Sequence, residues 1–355
     1  MTMRSIIVTS TKPYTGKSGI AVALTRILAD RGYDVGYFKP YGTMPVTVDG
    51  VTTDEDALYV NQVLERPSPL DAVCPVVRTQ AFIERMLAGE AADTHPAVLD
   101  AFDRCSAGRD VMVVEGPTEP AQGTCAGLSL GDIGPLLSAP VLLVDRPRPT
   151  DLPEDALWMA HYLGEQLCGV ILNGIHESRL PVARERIVPF LESRGVPMLG
   201  VIPFDPALGS VTVREIVDAL DAVVITAEDR LQDTVEAFMV GAMGQEKALR
   251  FFRRKANKAV ITGGDRADVQ LAALETSTRA IVLTGNLRPD PFVIARAEDL
   301  GVPMLLVDTD TLTAVERMEA LLGRVHLHDP LKAARIRRML EEHCDLERLL
   351  SAIGL

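Results

Sequence analysis

The sequence predicts an α/β protein, in which a parallel β-sheet with helices on both faces is followed by a second, smaller α/β domain. Three observations predict this fold class. Short apolar segments without polar alternation are separated by segments of helical periodicity, which is typical of strands buried on both faces. The pattern starts again after a turn-forming cluster at residues 205–210. The chain has 355 residues, more than one hydrophobic core usually organises.

The predicted elements follow in order along the chain. A β-branched run at residues 6–9 leads through a turn-rich segment into a helix at residues 19–31. Further strands of the first domain are predicted at residues 35–39, 111–114, 141–144, 170–172 and 198–202. Helices are predicted at residues 157–167 and 182–193. Strands of the second domain are predicted at residues 222–226, 259–262, 280–284 and 304–307. The amphipathic pattern of residues 331–353 predicts a helix that packs on its own domain or on a second subunit; a specific partner-binding role is the alternative.

Charge and composition exclude several classes of protein. The chain has 36 Lys and Arg residues against 49 Asp and Glu residues, and its net charge of −13 would repel the backbone of DNA or RNA. A local basic pocket for one small phosphate compound remains compatible with this balance. The five cysteines are scattered without a CxxC pair, which argues against a disulfide framework and a zinc site.

The same sequence gives no membrane or export signal. No apolar stretch approaches the ~20 residues that span a bilayer. The apolar run at residues 6–8 is too short for a signal peptide. We therefore expect a cytoplasmic protein with no membrane partner.

A variant phosphate loop follows the first strand. Residues 10–18 read STKPYTGKS, so Gly16, Lys17 and Ser18 match the second half of the motif, while Thr11 stands where its first glycine would be. Backbone N–H groups would surround phosphates here, Lys17 would neutralise them, and the Ser18 hydroxyl would reach Mg2+. The loop residues predicted to contact a nucleotide are Thr11, Lys12, Thr15, Gly16, Lys17, Ser18 and Gly19.

Two carboxylates at predicted strand ends are candidates for holding Mg2+ together with Ser18. Glu115 follows the apolar strand at residues 111–114, where ligands bind in open parallel sheets. Asp56 opens a helix close behind the second strand. Its neighbours Asp54 and Glu55 are interpreted as first-turn acids that favour the helix dipole.

Two lysines each have a functional and a structural interpretation. Lys39 ends the second strand, where its ammonium group would meet a substrate carboxylate or phosphate; a surface lysine before a turn is the alternative. Lys12 precedes Gly16 by four residues, the spacing of a second loop lysine in deviant phosphate-loop ATPases that act as dimers. A solvent-exposed loop lysine is the alternative there.

Together these residues resemble dethiobiotin synthetase and its relatives that make cobyrinic acid diamide, over approximately residues 1–208. The match includes the P-loop NTPase-like start and the segments at residues 36–40, 56–58, 113–116, 169–173 and 199–203. The resemblance implies ATP and Mg2+ bound by Lys17, Ser18, Asp56 and Glu115. It also implies that Asn173 and Pro203 lie near the base. In dethiobiotin synthetase the reaction is ATP-dependent closure of a carbamate through a mixed phosphoric anhydride.

The second half resembles a DRTGG-type domain over approximately residues 211–325, followed by a helical segment at residues 326–355. Its most specific part is Gly263-Gly264-Asp265-Arg266, where Asp265 either pairs with Arg266, binds an anion with it, or caps the following helix. Such a domain follows a dethiobiotin synthetase-like domain in the N-terminal region of long phosphate acetyltransferases. Their acetyl-transferring domain lies further along, so acetyl transfer is not expected of this chain alone. His326 and His328 have no third ligand at metal-site spacing.

Three functional hypotheses follow. In the first, the protein binds ATP and Mg2+, and the DRTGG-like domain mediates dimerisation or an effector response, as a homodimer or higher even oligomer. A partner enzyme of acetate or phosphate metabolism fits this hypothesis. In the second, the protein is an ATP-dependent ligase whose catalytic Lys17 and Lys39 position an acyl phosphate. In the third, only the fold persists and no nucleotide binds, because the first loop glycine is replaced.

Overall fold

The chain forms two compact units in a computed structural model that describes residues 3–90, 93–147, 152–323 and 329–355. The first unit comprises Met1–Phe204 together with Leu327–Leu355, and the second comprises Asp205–His326. The segment at residues 326–355, predicted as a separate helical segment, therefore belongs almost entirely to the first unit.

The first unit contains ten strands and eleven α-helical segments within the described residues. Its strands are β1 (Arg4–Ser10), β2 (Val35–Phe38), β3 (Tyr41–Gly42), β4 (Pro45–Val48), β5 (Val51–Asp54), β6 (Val76–Val77), β7 (Val111–Glu115), β8 (Val141–Asp145), β9 (Leu167–Ile175) and β10 (Met198–Pro203). Its helices are α1 (Lys17–Asp30), α2 (Glu55–Val63), α3 (Leu70–Val73), α4 (Gln80–Leu87), α5 (His95–Ser106), α6 (Leu130–Leu137), α7 (Glu154–Leu163), α8 (Leu180–Val182), α9 (Val188–Glu192) and, at the C-terminus, α15 (Pro330–His343) and α16 (Leu346–Ile353).

The main sheet of the first unit has six strands in the order β10-β9-β8-β1-β7-β2. Every neighbouring pair is parallel. Strands β7 and β8 are buried along their whole length, because helices cover both faces and leave no polar face to alternate. The predicted α/β class and parallel sheet are confirmed. Since β1 lies between β7 and β8, the segment after β1 lies at the centre of the carboxyl edge.

Three helical predictions need correction. The helix predicted at residues 157–167 ends at Leu163, and β9 already begins at Leu167. The helix predicted at residues 182–193 is irregular, because a π-helical turn at Ala183–Ile187 joins α8 to α9. Pro189 lacks the N–H that would continue a regular helix, which accounts for the irregularity. The helix predicted at residues 331–353 is broken after His343. There Asp345 donates its N–H to Leu199 O at 2.8 Å and its side chain caps α16. Both α15 and α16 pack on β10, so this segment packs on the first unit.

The second unit is built on a five-stranded sheet with the order β12-β17-β16-β15-β14. Its strands are β11 (Val211–Thr212), β12 (Val223–Val224), β13 (Thr234–Val235), β14 (Ala237–Val240), β15 (Lys258–Gly263), β16 (Thr278–Thr284) and β17 (Met304–Leu306). Its helices are α10 (Val213–Leu220), α11 (Gln245–Phe252), α12 (Ala267–Leu274), α13 (Pro291–Leu300) and α14 (Thr311–Gly323). Strands β14 to β17 are parallel and β12 is an antiparallel edge strand. The predicted strands of the second domain thus form one sheet.

Two further sequence expectations concern membranes and thiols. Within the described ranges no helix is long and apolar enough to cross a membrane. All five cysteines are free thiols, and Cys125 is exposed whereas Cys74 and Cys105 are buried.

Candidate functional site

The loop between β1 and α1 has the backbone geometry of a phosphate loop. Gly16 caps α1 in the left-handed region, with φ of 87°, which favours glycine. A Cβ at this position would also collide with the amide nitrogen of Asn173. The N–H groups of Lys17 and Ser18 have no protein acceptor in the described part of the chain. The loop therefore presents free donors at a helix N-terminus.

Glu115 joins this loop to the end of β7. Its Oε1 atom accepts hydrogen bonds from Lys17 Nζ at 2.9 Å and from Ser18 Oγ at 2.9 Å. Lys17 Nζ also donates to the Gly116 carbonyl at 2.7 Å. Lys17 is 6% exposed and Glu115 is 2% exposed, so this ion pair is buried. The structure thus brings together the predicted phosphate lysine, one predicted metal hydroxyl and one predicted metal carboxylate.

Lys39 connects Glu115 to the start of α2. Its Nζ atom lies 2.7 Å from Asp54 Oδ1, 3.3 Å from Asp56 Oδ2 and 3.4 Å from Glu115 Oε1. Lys39 is 5% exposed, so the alternative of a surface lysine before a turn is wrong. Two ammonium groups therefore face three carboxylates, which leaves this buried cluster with a formal charge of −1.

Asp54 is the N-cap of α2, and its interpretation as a first-turn acid was wrong. Its Oδ1 accepts the N–H of Asp56 and its Oδ2 accepts the N–H groups of Thr43 and Met44 at 2.9 and 3.0 Å. Because both oxygens are occupied, Asp54 positions Lys39 and the helix start. Asp56 lies in the first turn of α2, and its side chain stays partly exposed, whereas that of Asp54 is buried.

Burial and charge shift the protonation equilibria of the cluster in different directions. Burial would raise the pKa of Glu115, but Lys17 and Lys39 hold that pKa well below its usual range. Burial lowers the pKa of Lys17 despite Glu115. Burial likewise raises the pKa of Asp56, which Lys39 partly offsets. Glu115 is therefore ionised at neutral pH and remains available as an anionic ligand.

The first half of the loop is tied to β8. Thr11, at the predicted first-glycine position, donates its hydroxyl to Asp145 Oδ1 at 2.8 Å. Lys12 forms an ion pair with Asp155 at 2.8 Å and lies 3.7 Å from Asp145. Thr15 is buried, and its carbonyl accepts the Asn173 amide at 2.7 Å. Lys12 is thus paired within its own chain.

The predicted base-contacting residues flank a cavity of about 620 Å3 beside the loop. Asn173 donates its side-chain amide to the Thr15 carbonyl of the loop, and Pro203 is the last residue of β10. Neither lines the cavity, although the residues that follow them, Gly174 and Phe204, do. Gly19, the last predicted loop residue, is buried in the first turn of α1.

The glycine-rich turn of the second unit follows β15. Arg266 pairs with Asp268 at 3.0 Å rather than with Asp265, and no side chain caps α12. The predicted Asp265 cap and the predicted Asp265–Arg266 pair are therefore wrong. Arg266, not Asp265, occupies the N-cap position of α12. A Cβ on Gly264 would collide with the carbonyl of Leu287, which explains the need for glycine. His326 and His328 lie outside the described residues.

The donor set fits a magnesium nucleotide better than a metal held by protein alone. Among the described residues no group of three or more His, Cys, Asp or Glu side chains is placed to hold a metal ion. Ser18, Glu115 and Asp56 offer hard oxygen atoms, and Mg2+ usually combines one or two carboxylates with phosphate oxygens and water. The positive Gly16 φ and the free N–H groups suit those phosphates.

Three residues of the site were missed from the sequence. Tyr37 donates its hydroxyl to Glu115 Oε2 at 2.7 Å. Its signal was the period-two spacing from Lys39, the residue directly after β2, because side chains two residues apart in an extended chain point to the same face. Asp54 carried the signal of an N-cap before an acidic helix start. Asp145 ends β8, and the strand-end argument used for Glu115 would have found it.

The fold and the loop define a P-loop domain of the nucleotide-binding class, followed by a second α/β domain. A sequence profile described as an AAA domain matches residues 4–212, more than half of the chain, and the chain belongs to this family. A second profile, described as a DRTGG domain, matches residues 215–321. The two resemblances inferred from the sequence are thereby confirmed.

The chain is also similar to individual known proteins. The chain is 27% identical to the phosphate acetyltransferase of Pseudomonas aeruginosa, over 99% of this chain and 52% of that protein. It is 25% identical to the ATP-dependent dethiobiotin synthetase of Bacillus thuringiensis, over 61% of this chain and 89% of that protein. The solved MinD cell division protein of Aquifex aeolicus is 17% identical with a TM-score of 0.36, over 58% of this chain and 84% of that one. The chain spans about half the length of its phosphate acetyltransferase relatives.

Proposed function

We propose that the first unit binds ATP with Mg2+ at the loop between β1 and α1, and that the DRTGG domain is a regulatory or dimerisation module. One observation carries the first part of this proposal. Lys17 and Ser18 both contact Oε1 of the buried Glu115, directly beside the free N–H groups that begin α1. The ATP in the name of the dethiobiotin synthetase relative supports the choice of nucleotide.

The residues have separate roles in this proposal. Lys17 and the N–H groups of the loop bind the phosphates, and Ser18, Glu115 and Asp56 hold Mg2+. The metal, when bound, neutralises phosphate charge. Because Lys17 forms a buried ion pair with Glu115, a bound phosphate would compete with Glu115 for the lysine.

Equilibrium binding of ATP with Mg2+ to two lysine variants tests the site. Lys17→Ala should weaken binding by about 2–3 kcal/mol, the scale of one charge-assisted phosphate contact. Lys255→Ala is the matched control, since Lys255 is exposed and lies in the second unit. Equal affinity of the wild type and Lys17→Ala would reject the phosphate-loop assignment.

A second candidate function is an ATP-dependent ligase of the dethiobiotin synthetase type. The observation that favours it is the burial of Lys39 among Asp54, Asp56 and Glu115, beside the proposed phosphate site. The ligase releases ADP only when its acceptor substrate is present. A screen of carboxylates and diamines that gives no ADP release above the substrate-free rate would exclude it, and Lys39→Ala should abolish any release found.

The regulatory part of the proposal concerns assembly. A homodimer or higher even oligomer is expected, and a partner enzyme of acetate or phosphate metabolism would be its target. Light scattering of the purified chain, with and without ATP and Mg2+, measures the mass. A monomer under both conditions would remove dimerisation from the proposal.

A further inference from the structure

Basic side chains line the cavity beside the loop, which the predicted base-contacting residues Asn173 and Pro203 flank. Its volume is about 620 Å3, within the 300–1,000 Å3 usual for small-molecule sites. Lys12, Arg146, Arg179 and His176 lie in its wall. None of its described lining residues is Asp or Glu. This stands out in a chain whose net charge is −13.

Arg146 is held in this cavity by several neighbours. Its guanidinium lies 5.3 Å from the centre of the Phe204 ring, and its Nη1 is 3.4 Å from the Tyr14 carbonyl. Gly174, with φ of 67°, makes room for it, because a Cβ there would lie 2.9 Å from Arg146 Nε. The surrounding chain thus fixes the position of a cation at the wall.

The charged side chains of the cavity wall differ in their ion pairs within the described part of the chain. Lys12 is neutralised by Asp155 at 2.8 Å. In contrast, neither Arg146 nor Arg179 forms an ion pair with a carboxylate of the described chain. Burial lowers the pKa of Arg146. A guanidinium presents five N–H donors, and a phosphate accepts two of them in parallel, so an anion in the cavity would satisfy these groups.

We infer that this cavity binds a second phosphate group of the ligand, beyond the 5′-phosphates at the loop. The ligand is then a nucleotide that is also phosphorylated on its ribose, or a dinucleotide whose far phosphates reach Arg146 and Arg179. The inference rests on the proposed function, because residues 12–14 belong both to the loop and to the cavity wall. The rings of Tyr14 and Phe204 offer apolar surface to a base or ribose in the same cavity.

Calorimetry with matched ligand pairs tests the inference. ADP is compared with its 2′- and 3′-phosphorylated derivatives, and ATP is compared with diadenosine tetraphosphate, all with Mg2+. In each comparison the second ligand adds phosphate or a second nucleoside to the first. In at least one pair, we expect the ligand with the added phosphate or nucleoside to bind ten-fold or more tightly than the other ligand. Tighter binding of a 2′- or 3′-phosphorylated ADP indicates a ribose phosphate, whereas tighter binding of diadenosine tetraphosphate indicates a dinucleotide. Equal affinities in every pair would overturn the inference.

Arginine variants locate the effect. Arg146→Ala combined with Arg179→Ala should remove the ten-fold advantage, measured as the ratio of the two affinities within each ligand pair. Arg179→Ala alone should reduce the advantage at least three-fold, which keeps the test available if the double variant does not fold. Arg194→Ala is the matched control, because Arg194 also stacks on a phenylalanine, Phe190, at 3.7 Å but lies outside the cavity. An advantage that persists in both cavity variants would contradict the inference.

The two proposals fail in different ways. If ATP binds through Lys17 and the added phosphate has no effect, the proposed function stands and the inference about the cavity is wrong. If the phosphorylated ligands bind in an Arg179-dependent manner while Lys17→Ala changes nothing, the cavity is a phosphate site and the loop assignment is wrong.

Discussion

Replacing Glu115 with Gln should destabilise the first unit by about 3 kcal/mol at pH 7, because it breaks a buried ion pair. Breaking such a pair typically costs about 3–5 kcal/mol. The lower end applies because both lysines keep another partner. Lys17 retains the Gly116 carbonyl at 2.7 Å, and Lys39 retains Asp54 at 2.7 Å.

The loss of unfolding free energy in Glu115→Gln should be larger at neutral pH than in acid. Lys17 and Lys39 oppose the effect of burial and lower the pKa of Glu115 in the folded protein. A carboxylate of this kind contributes stability above its unfolded pKa of about 4.3, and the contribution is lost as the pH falls through the folded value. The difference between the wild type and Glu115→Gln should therefore be largest near neutral pH and shrink below about pH 4.3.

Urea unfolding followed by the fluorescence of Trp158 measures this difference. Trp158 is the only tryptophan of the chain and lies in α7, so its signal reports the first unit. Glu347→Gln is the control, because Glu347 pairs with Arg31 at 2.8 Å on the surface and should cost less than about 1 kcal/mol. If Glu115→Gln cost no more than this control, the buried cluster would not stabilise the fold as argued.

Three further predictions concern other parts of the chain. Asp54→Asn keeps a helix cap but removes the 2.7 Å pair with Lys39, so urea unfolding should show a loss of about 2 kcal/mol; an unchanged midpoint would contradict this. Gly264→Ala should destabilise the second unit by about 1–3 kcal/mol in urea followed by circular dichroism, whereas Gly244→Ala, with open space around it, should not; equal effects would refute the steric argument. Burial lowers the pKa of Lys258 to about 8. The unfolding free energy of the second unit should therefore rise between pH 8 and about 10.4, and Lys258→Met should abolish this rise. A wild-type unfolding free energy that does not change over this pH range would contradict the prediction.

The sheet and the loop could be predicted because their signals are local. Strand β7, for example, is an apolar run whose own residues indicate burial on both faces. The Gly-Lys-Ser sequence between a strand and a helix likewise indicates where α1 begins and why Gly16 is needed. Neither prediction required knowledge of distant residues.

The rest of the site depends on which distant residues meet. Asp145 contacts Thr11 only because β8 lies beside β1, an order that the sequence does not state. The break in the C-terminal helix after His343 depends on the hydrogen bond from the Asp345 N–H to the Leu199 carbonyl. Leu199 lies in β10, far from Asp345 in the sequence. Such pairings satisfy backbone and side-chain groups across the fold, and no short window of sequence contains both partners.

Calorimetric titration of the wild-type chain with ATP, first with Mg2+ and then with the metal chelated, tests the central claim most directly. The cluster of Ser18, Asp56 and Glu115 predicts saturable binding of one ATP per chain that weakens strongly when Mg2+ is removed. Absence of saturable binding in the presence of Mg2+, or equal affinity with and without the metal, would contradict the account.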